Sequence, residues 1–161
     1  MKTQGNRVSH TYTMTIDAVA ADIFPLLCPV REYDWIDVWS CDVVYSESGV
    51  AEPGCVFLTD IPARGIETWV VTRFEPASAI EFCRTAGASR ACLLQVALTP
   101  GADGGTELAW TYTHTGIDAD GRDWVDKYPA TRFELEMEGL AERLGHYLQT
   151  GEMLRQDHAH H

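Results

Sequence analysis

The residues best placed to do chemistry lie in one strongly alternating stretch near the C-terminal end. In Thr106 to Thr115 (TELAWTYTHT), Leu108, Trp110, Tyr112 and His114 share one face, and Glu107, Ala109, Thr111, Thr113 and Thr115 share the other. The threonine-rich face suits water, so the first face should point at the interior. There His114 has the chemistry of a general base near neutral pH, and Tyr112 that of an acid or an oriented hydrogen-bond donor. Trp110 and Tyr112 could stack on an aromatic ligand. The plainer reading is that all four fill core or rim, because large aromatics mostly occupy space. No carboxylate partner for His114 is identifiable from the sequence.

Other candidates are weaker. Val8, His10, Tyr12, Met14 and Ile16 share one face of Arg7 to Ile16 (RVSHTYTMTI). His10 and His114 could form a metal pair, but no third ligand follows a recognisable spacing, and no metal site is expected. Glu67 alternates with Thr68, Trp69 and Val70, and the sequence leaves the inward face open. Turned inward, Glu67 would be an acid of raised pKa; the simpler expectation is an exposed strand glutamate. Asp60 and Arg73 pose the same choice. Five cysteines without regular spacing do not make a disulfide framework. Pairing Phe82 with Leu94 and Ile80 with Val96 keeps apolar residues on one face and puts Cys83 and Cys92 on opposite faces. Asp118, Asp120 and Gly121 lack the full spacing and terminal glutamate of a calcium loop. Asp157, His158, His160 and His161 read as a short tail.

These side chains need a frame. In Asp123 to Gln149, Phe133, Met137, Leu140, Leu144 and Leu148 form one apolar stripe along a long helix. Trp124 and Tyr128, one turn apart, could close an opening, and Pro129 should kink or restart the helix. Asp17 is a good N-cap for a short helix from Val19 to Leu27, broken near Pro25, and Pro29 can start a second. Strands are expected at 7–16, 41–46, 55–61, 66–74, 79–85, 89–98 and 106–115, with turns at Glu47–Gly54, Pro62–Gly65 and Pro100–Gly105. The outline is α+β: a seven-stranded antiparallel sheet with one face solvated and the other covered by the long helix. The 161 residues form one domain, 1–150, with a tail, 151–161.

Composition narrows the partners. Twenty-four acidic against twelve basic residues give a net charge of −12. That disfavours nucleic acid and anionic membranes, which reward a basic patch. No run has the length to insert into a membrane. The N-terminal MKTQGNRVSH lacks the apolar core of a signal peptide, and a cytoplasmic, reduced protein is expected. No cofactor is expected. The oligomeric state, a homodimer included, stays open.

The order β-α-α-β-β-β-β-β-β-α resembles the helix-grip fold of the START/SRPBCC superfamily, which includes polyketide cyclase/dehydrase-like and birch-pollen-allergen-like proteins. The resemblance covers about Arg7 to Leu148. It rests on Ala20-Ala21-Asp22-Ile23-Phe24-Pro25-Leu26-Leu27, on Trp35 and Trp39, on Gly54-Cys55-Val56-Phe57, on Trp69-Val70-Val71 and Ile80-Glu81-Phe82, and on Thr106 to Trp110. None of these is a catalytic signature. The resemblance implies a sheet curved around the long C-terminal helix, with a deep, mostly apolar cavity between them that takes a hydrophobic small molecule. Its lining would be Trp35, Trp39, Trp69, Trp110, Tyr112, Trp124, Phe133, Met137 and Leu140. The first expectation is therefore a binder of a lipid, polyketide or aromatic compound. The alternative is a cyclase- or dehydratase-type enzyme using His114 and Tyr112 as base and acid, perhaps helped by Glu67. A third, an interaction module, would need an exposed apolar patch.

Overall fold

The computed structural model describes residues 3–155. Alternation in the sequence becomes strand pairing: β1 (Arg7–Ile16), β2 (Asp42–Tyr45), β3 (Val56–Ile61), β4 (Gly65–Glu75), β5 (Ala79–Ala86), β6 (Arg90–Pro100) and β7 (Thr106–Gly116). They form one antiparallel sheet in the order β1-β7-β6-β5-β4-β3-β2. The last strand closes against the first, with Tyr12 opposite Trp110 and His10 opposite Tyr112. The outer face of that pair is the expected hydroxyl ladder. Thr11 and Thr111 meet at 3.0 Å and Ser9 and Thr113 at 3.1 Å, a cross-strand pairing that suits a wet surface.

The β5–β6 register pairs Phe82 with Leu94 and Ile80 with Val96, as apolar matching required. Cys83 faces out, Cys92 faces in, and all five cysteines are free thiols.

Two short helices, α1 (Ala20–Ile23) and α2 (Pro29–Glu32), follow β1, with a 3-10 turn at Phe24–Leu27 between them. Pro25 accounts for the tightened turn, since its ring cannot sit inside an α-helix. The N-cap of α1 is Val19 and not Asp17, and no side chain bonds to that end. Two indole N–H groups hold the segment instead. Trp35 donates to the Leu26 carbonyl at 2.8 Å and Trp39 to the Pro29 carbonyl at 2.8 Å.

The helical segment expected over Asp123–Gln149 restarts at Pro129, as expected, and forms two helices: α3 (Ala119–Asp126), which begins before Asp123, and α4 (Ala130–Thr150). Pro129 becomes the N-cap of α4, where its lost N–H costs nothing. The first turn of α3 is fixed by Asp118, whose carboxylate accepts from the Gly121 N–H and the Ser89 hydroxyl, both at 2.8 Å. Gly121 is required there: a Cβ would lie 1.7 Å from the Ser89 carbonyl oxygen. Phe133, Met137 and Leu144 of the α4 stripe are buried; Leu140 and Leu148 are half-buried against the same core. After Gly151, which ends α4 with φ 72°, the chain turns back and Leu154 bridges to Ile36. The C-terminal histidines lie outside the described residues. Among the described residues, no helix is long and apolar enough to cross a membrane.

Candidate functional site

Strand parity carries polar groups into the interior at one end of the sheet. One row across the sheet reads Phe82, Leu94, Tyr112, His10. The next reads Trp69, Arg84, Cys92, His114, Val8. Arg90 follows at the start of β6, and Glu67 enters from β4. All face inward: Glu67 is 2% exposed, Arg84 3%, His114 1%, and Arg64 and Arg90 8% each. The expectation of a solvent-exposed Glu67 is therefore corrected. Trp69 and Val71 take the core side of β4, and the period of two takes Glu67 with them. Asp60 and Arg73 do point outward; Arg73 is engaged by Glu75 at 2.9 Å and Glu81 at 3.1 Å.

Aromatic faces hold the arginines. The Arg84 guanidinium lies 4.6 Å from the Trp69 ring centre and 5.0 Å from that of Tyr112. Arg90 lies 4.1 Å from Trp124. Trp124 stacks on Tyr128 at 5.0 Å, so the expected aromatic pair at the start of the helical segment does meet. Arg64 donates to the Tyr128 hydroxyl at 3.0 Å and to Glu136 at 2.9 Å, and Tyr128 donates to Glu136 at 2.6 Å. Arg132 reaches the other oxygen of Glu136 at 3.3 Å. Arg90 also donates to the Arg64 carbonyl.

The interior is under-bonded despite this. Glu67 Oε2 lies 3.8 Å from Arg84 Nε and 3.7 Å from Arg90 Nη2, too far for hydrogen bonds. Glu67 Oε1, Arg84 Nε and Nη2, Arg64 Nη1, Trp110 Nε1 and both ring nitrogens of His114 are buried without a protein partner. Buried polar groups are normally satisfied, so such a cluster calls for a further group or water among them.

Burial, reinforced by Arg84, Arg64 and Arg90, pushes the His114 pKa down to about 2, so its ring is neutral. Burial, opposed by Arg84 and Arg64, pushes the Tyr112 hydroxyl up to about 12. Burial also raises the Glu32 carboxyl well above its usual range, against the pull of Arg84. His114 thus stands as a neutral hydrogen-bonding ring beside Tyr128, at 4.7 Å between ring centres, and Trp124, at 5.2 Å.

His10 stacks on Phe133 at 5.5 Å and approaches the Tyr128 carbonyl at 3.4 Å. It sits opposite Tyr112, one row from His114. Among the described residues no group of three or more His, Cys, Asp or Glu side chains could hold a metal.

The structure brings Trp69, Tyr112, His114, Trp124, Phe133 and Glu67 to this end of the interior. Trp110 lies two rows from His114, opposite Val96 and Tyr12. Trp35 is fully buried, Trp39 is half-buried, and their indole N–H groups are used by backbone. Pockets open at the surface among the described residues, two of them away from the polar cluster. One, of about 320 Å³, is lined by Phe24, Pro25, Cys28, Arg31, Phe74 and Ile80. The other, of about 380 Å³, lies between the end of β1 and the last turns of α4, near Asp17, Glu142 and His146. Neither is lined by the residues of the polar cluster.

Sequence reasoning missed Arg64, Arg84, Arg90 and Glu136. The signal for Arg84 was present, since Ile80, Phe82 and Arg84 fall on one parity, as do Arg90, Cys92, Leu94 and Val96. Arg64, in the β3–β4 turn, and Glu136, on the polar side of the helix pattern, carried none.

No protein-family model matches the chain. No curated protein matches it either. Solved structures do. DynU16, a protein of the dynemicin biosynthetic locus, superposes with a TM-score of 0.60 at 18% identity, over 89% of this chain and 48% of its own. The chain thus spans about half of DynU16. Ara h 8.0201 gives 0.62 at 15% identity over 90% of this chain and 99% of its own. The major latex-like protein 151 of Panax ginseng gives 0.65 at 9% identity over 88% and 97%. At these identities the likeness is one of architecture. A seven-stranded antiparallel sheet, two short helices after the first strand and a long C-terminal helix give this chain the helix-grip fold.

Proposed function

We propose that the protein binds a hydrophobic small molecule, of lipid, polyketide or aromatic type, between the concave sheet and α4. The observation that carries this reading is the set of unpartnered polar atoms on Arg84, Glu67, His114 and Trp110 within an otherwise apolar interior. Tyr112 packs edge-on against Phe133 at 5.0 Å, and Phe57 stacks on Trp69 at 5.2 Å, so flat apolar surface adjoins the polar cluster. Burial of the ligand's apolar body would drive binding, and the cluster would orient it. The helix-grip neighbours support a fold built around such a compartment.

Trp69, Tyr112, Phe133 and Met137 are the proposed apolar contacts, with Trp110 donating through its indole. Trp124 and Tyr128 would close the end of the compartment. His114 is assigned to hydrogen-bonding and not to proton abstraction. It has no carboxylate partner, and a pKa of about 2 leaves it a weak base. That assignment separates the binder from the cyclase-type reading, in which His114 would take a proton.

Native against denaturing mass spectrometry on freshly purified protein tests the proposal. The expected result is a small-molecule adduct present in the native spectrum and lost on denaturation. Bare protein in both, together with no uptake from a panel of hydrophobic compounds, would refute it. Turnover of a captured compound that disappears in His114→Ala while binding persists would favour the enzyme.

A further inference from the structure

We infer that the ligand is a hydrophobic carboxylate whose anionic end seats on Arg84. The inference rests on the binding function proposed above and specifies the chemistry of its ligand.

The argument begins with the geometry of the Arg84 guanidinium. Its Cζ lies over the Trp69 and Tyr112 rings, at 4.6 and 5.0 Å from their centres. The rings hold the cation by its charge and take up none of its N–H hydrogen bonds to oxygen acceptors. The two nitrogens buried without partners are Nε and Nη2. They form the side edge of the guanidinium, whose two parallel N–H groups match the two oxygens of a carboxylate. Glu67 is the nearest protein acceptor, but its Oε2 stands 3.8 Å from Nε. It is shared with Arg90 at 3.7 Å, and so does not fill the edge.

Charge points the same way. Four arginines (Arg64, Arg84, Arg90 and Arg132) and two carboxylates (Glu67 and Glu136) meet here through the contacts described. Glu32, the other carboxyl within electrostatic reach of Arg84, is kept protonated by burial over part of the pH range above its usual titration. Glu136 is shared by Arg64 and Arg132, and Glu67 by Arg84 and Arg90. One positive charge is left over in each group, and a carboxylate on Arg84 neutralises the inner one. Buried charge is tolerated only when paired.

Of the remaining orphan atoms in the cluster, Glu67 Oε1 can only accept, and the others supply the donors. Trp110 Nε1 and Arg64 Nη1 can only donate, and His114 offers one donor and one acceptor. An acceptor-rich group satisfies this set better than a neutral alcohol or a hydrocarbon tail.

The test compares two probes of similar shape, 2-naphthoate and 2-naphthylmethanol, titrated against the protein by tryptophan fluorescence. Wild-type protein is expected to bind the naphthoate about 10-fold or more tighter than the alcohol, as a charge-assisted bidentate pair predicts. In Arg84→Met that preference should vanish, with the alcohol's affinity changed less than about 2-fold. Trp110→Phe, which keeps a ring in place, should weaken naphthoate more than the alcohol, since the bond lost is charge-assisted only for the carboxylate, and serves if Arg84→Met fails to fold. Equal binding of both probes by the wild type would overturn the carboxylate assignment and leave the hydrophobic-binding function standing. Binding of neither would overturn both.

Discussion

Replacing His114 by phenylalanine isolates the electrostatics of the buried cluster. The phenyl ring keeps the aromatic contacts with Tyr112, Tyr128 and Trp124 but cannot take a proton. The folded-state pKa of His114 lies at about 2, against 6.5 for an ordinary histidine. The shift is downward, so the unfolded chain binds more protons than the folded one at every pH between those values. His114 therefore weighs against folding increasingly as pH falls below about 6.5, at about 1.4 kcal/mol per pH unit. At pH 5 the loss is about 2 kcal/mol relative to pH 7. Glu32 has the opposite sign: its raised pKa favours folding at low pH and loses that contribution as pH rises. It is common to both proteins and cancels in the difference. Urea denaturation followed by tryptophan fluorescence at pH 7 and pH 5 reads the effect. The stability of wild type minus His114→Phe should fall by about 2 kcal/mol on going to pH 5. A difference that moves by less than about 0.5 kcal/mol would show that folded His114 titrates like a solvated histidine, and the account of the site as a positively charged, buried interior would be wrong.

Two further perturbations test the frame that carries the site. Gly121→Ala places a Cβ 1.7 Å from the Ser89 carbonyl oxygen, so α3 must move off the β5–β6 turn. A loss of about 1–3 kcal/mol by denaturation is expected, with a wild-type melting profile counting against it. Arg143 pairs with Asp37 at 3.3 Å, and these side chains are 13% and 3% exposed. Arg143→Met should cost about 3 kcal/mol, because the Asp37 carboxylate loses a cationic partner in a dry setting. An effect near zero would place that pair among solvated surface bridges.

Much of the fold was legible because its strands alternate. The threonines of β1 and β7 mark the wet face, which fixes the inward direction of Trp110, Tyr112 and His114 without any three-dimensional information. The apolar spacing of Phe133, Met137 and Leu144 marks the buried stripe of α4 in the same way, and Phe82 opposite Leu94 sets the β5–β6 register. These are local properties, because a period of two or of 3.6 residues is written in consecutive side chains. Tertiary structure decided what the sequence left open. Glu67 turned inward because Trp69 and Val71 took the core side of its strand. The N-cap of α1 fell on Val19 because its first turn lies beyond the reach of Asp17. The polar cluster joins Arg64 from a turn, Glu67, Arg84, Arg90 and His114 from four strands, and Tyr128 and Glu136 from the helical segment. Those residues are far apart in the chain, and only the packing of α3 and α4 on the sheet brings their charges together. The sequence determined which faces are buried; the excess of buried guanidinium over carboxylate, and with it the chemistry of the site, came from the assembled interior.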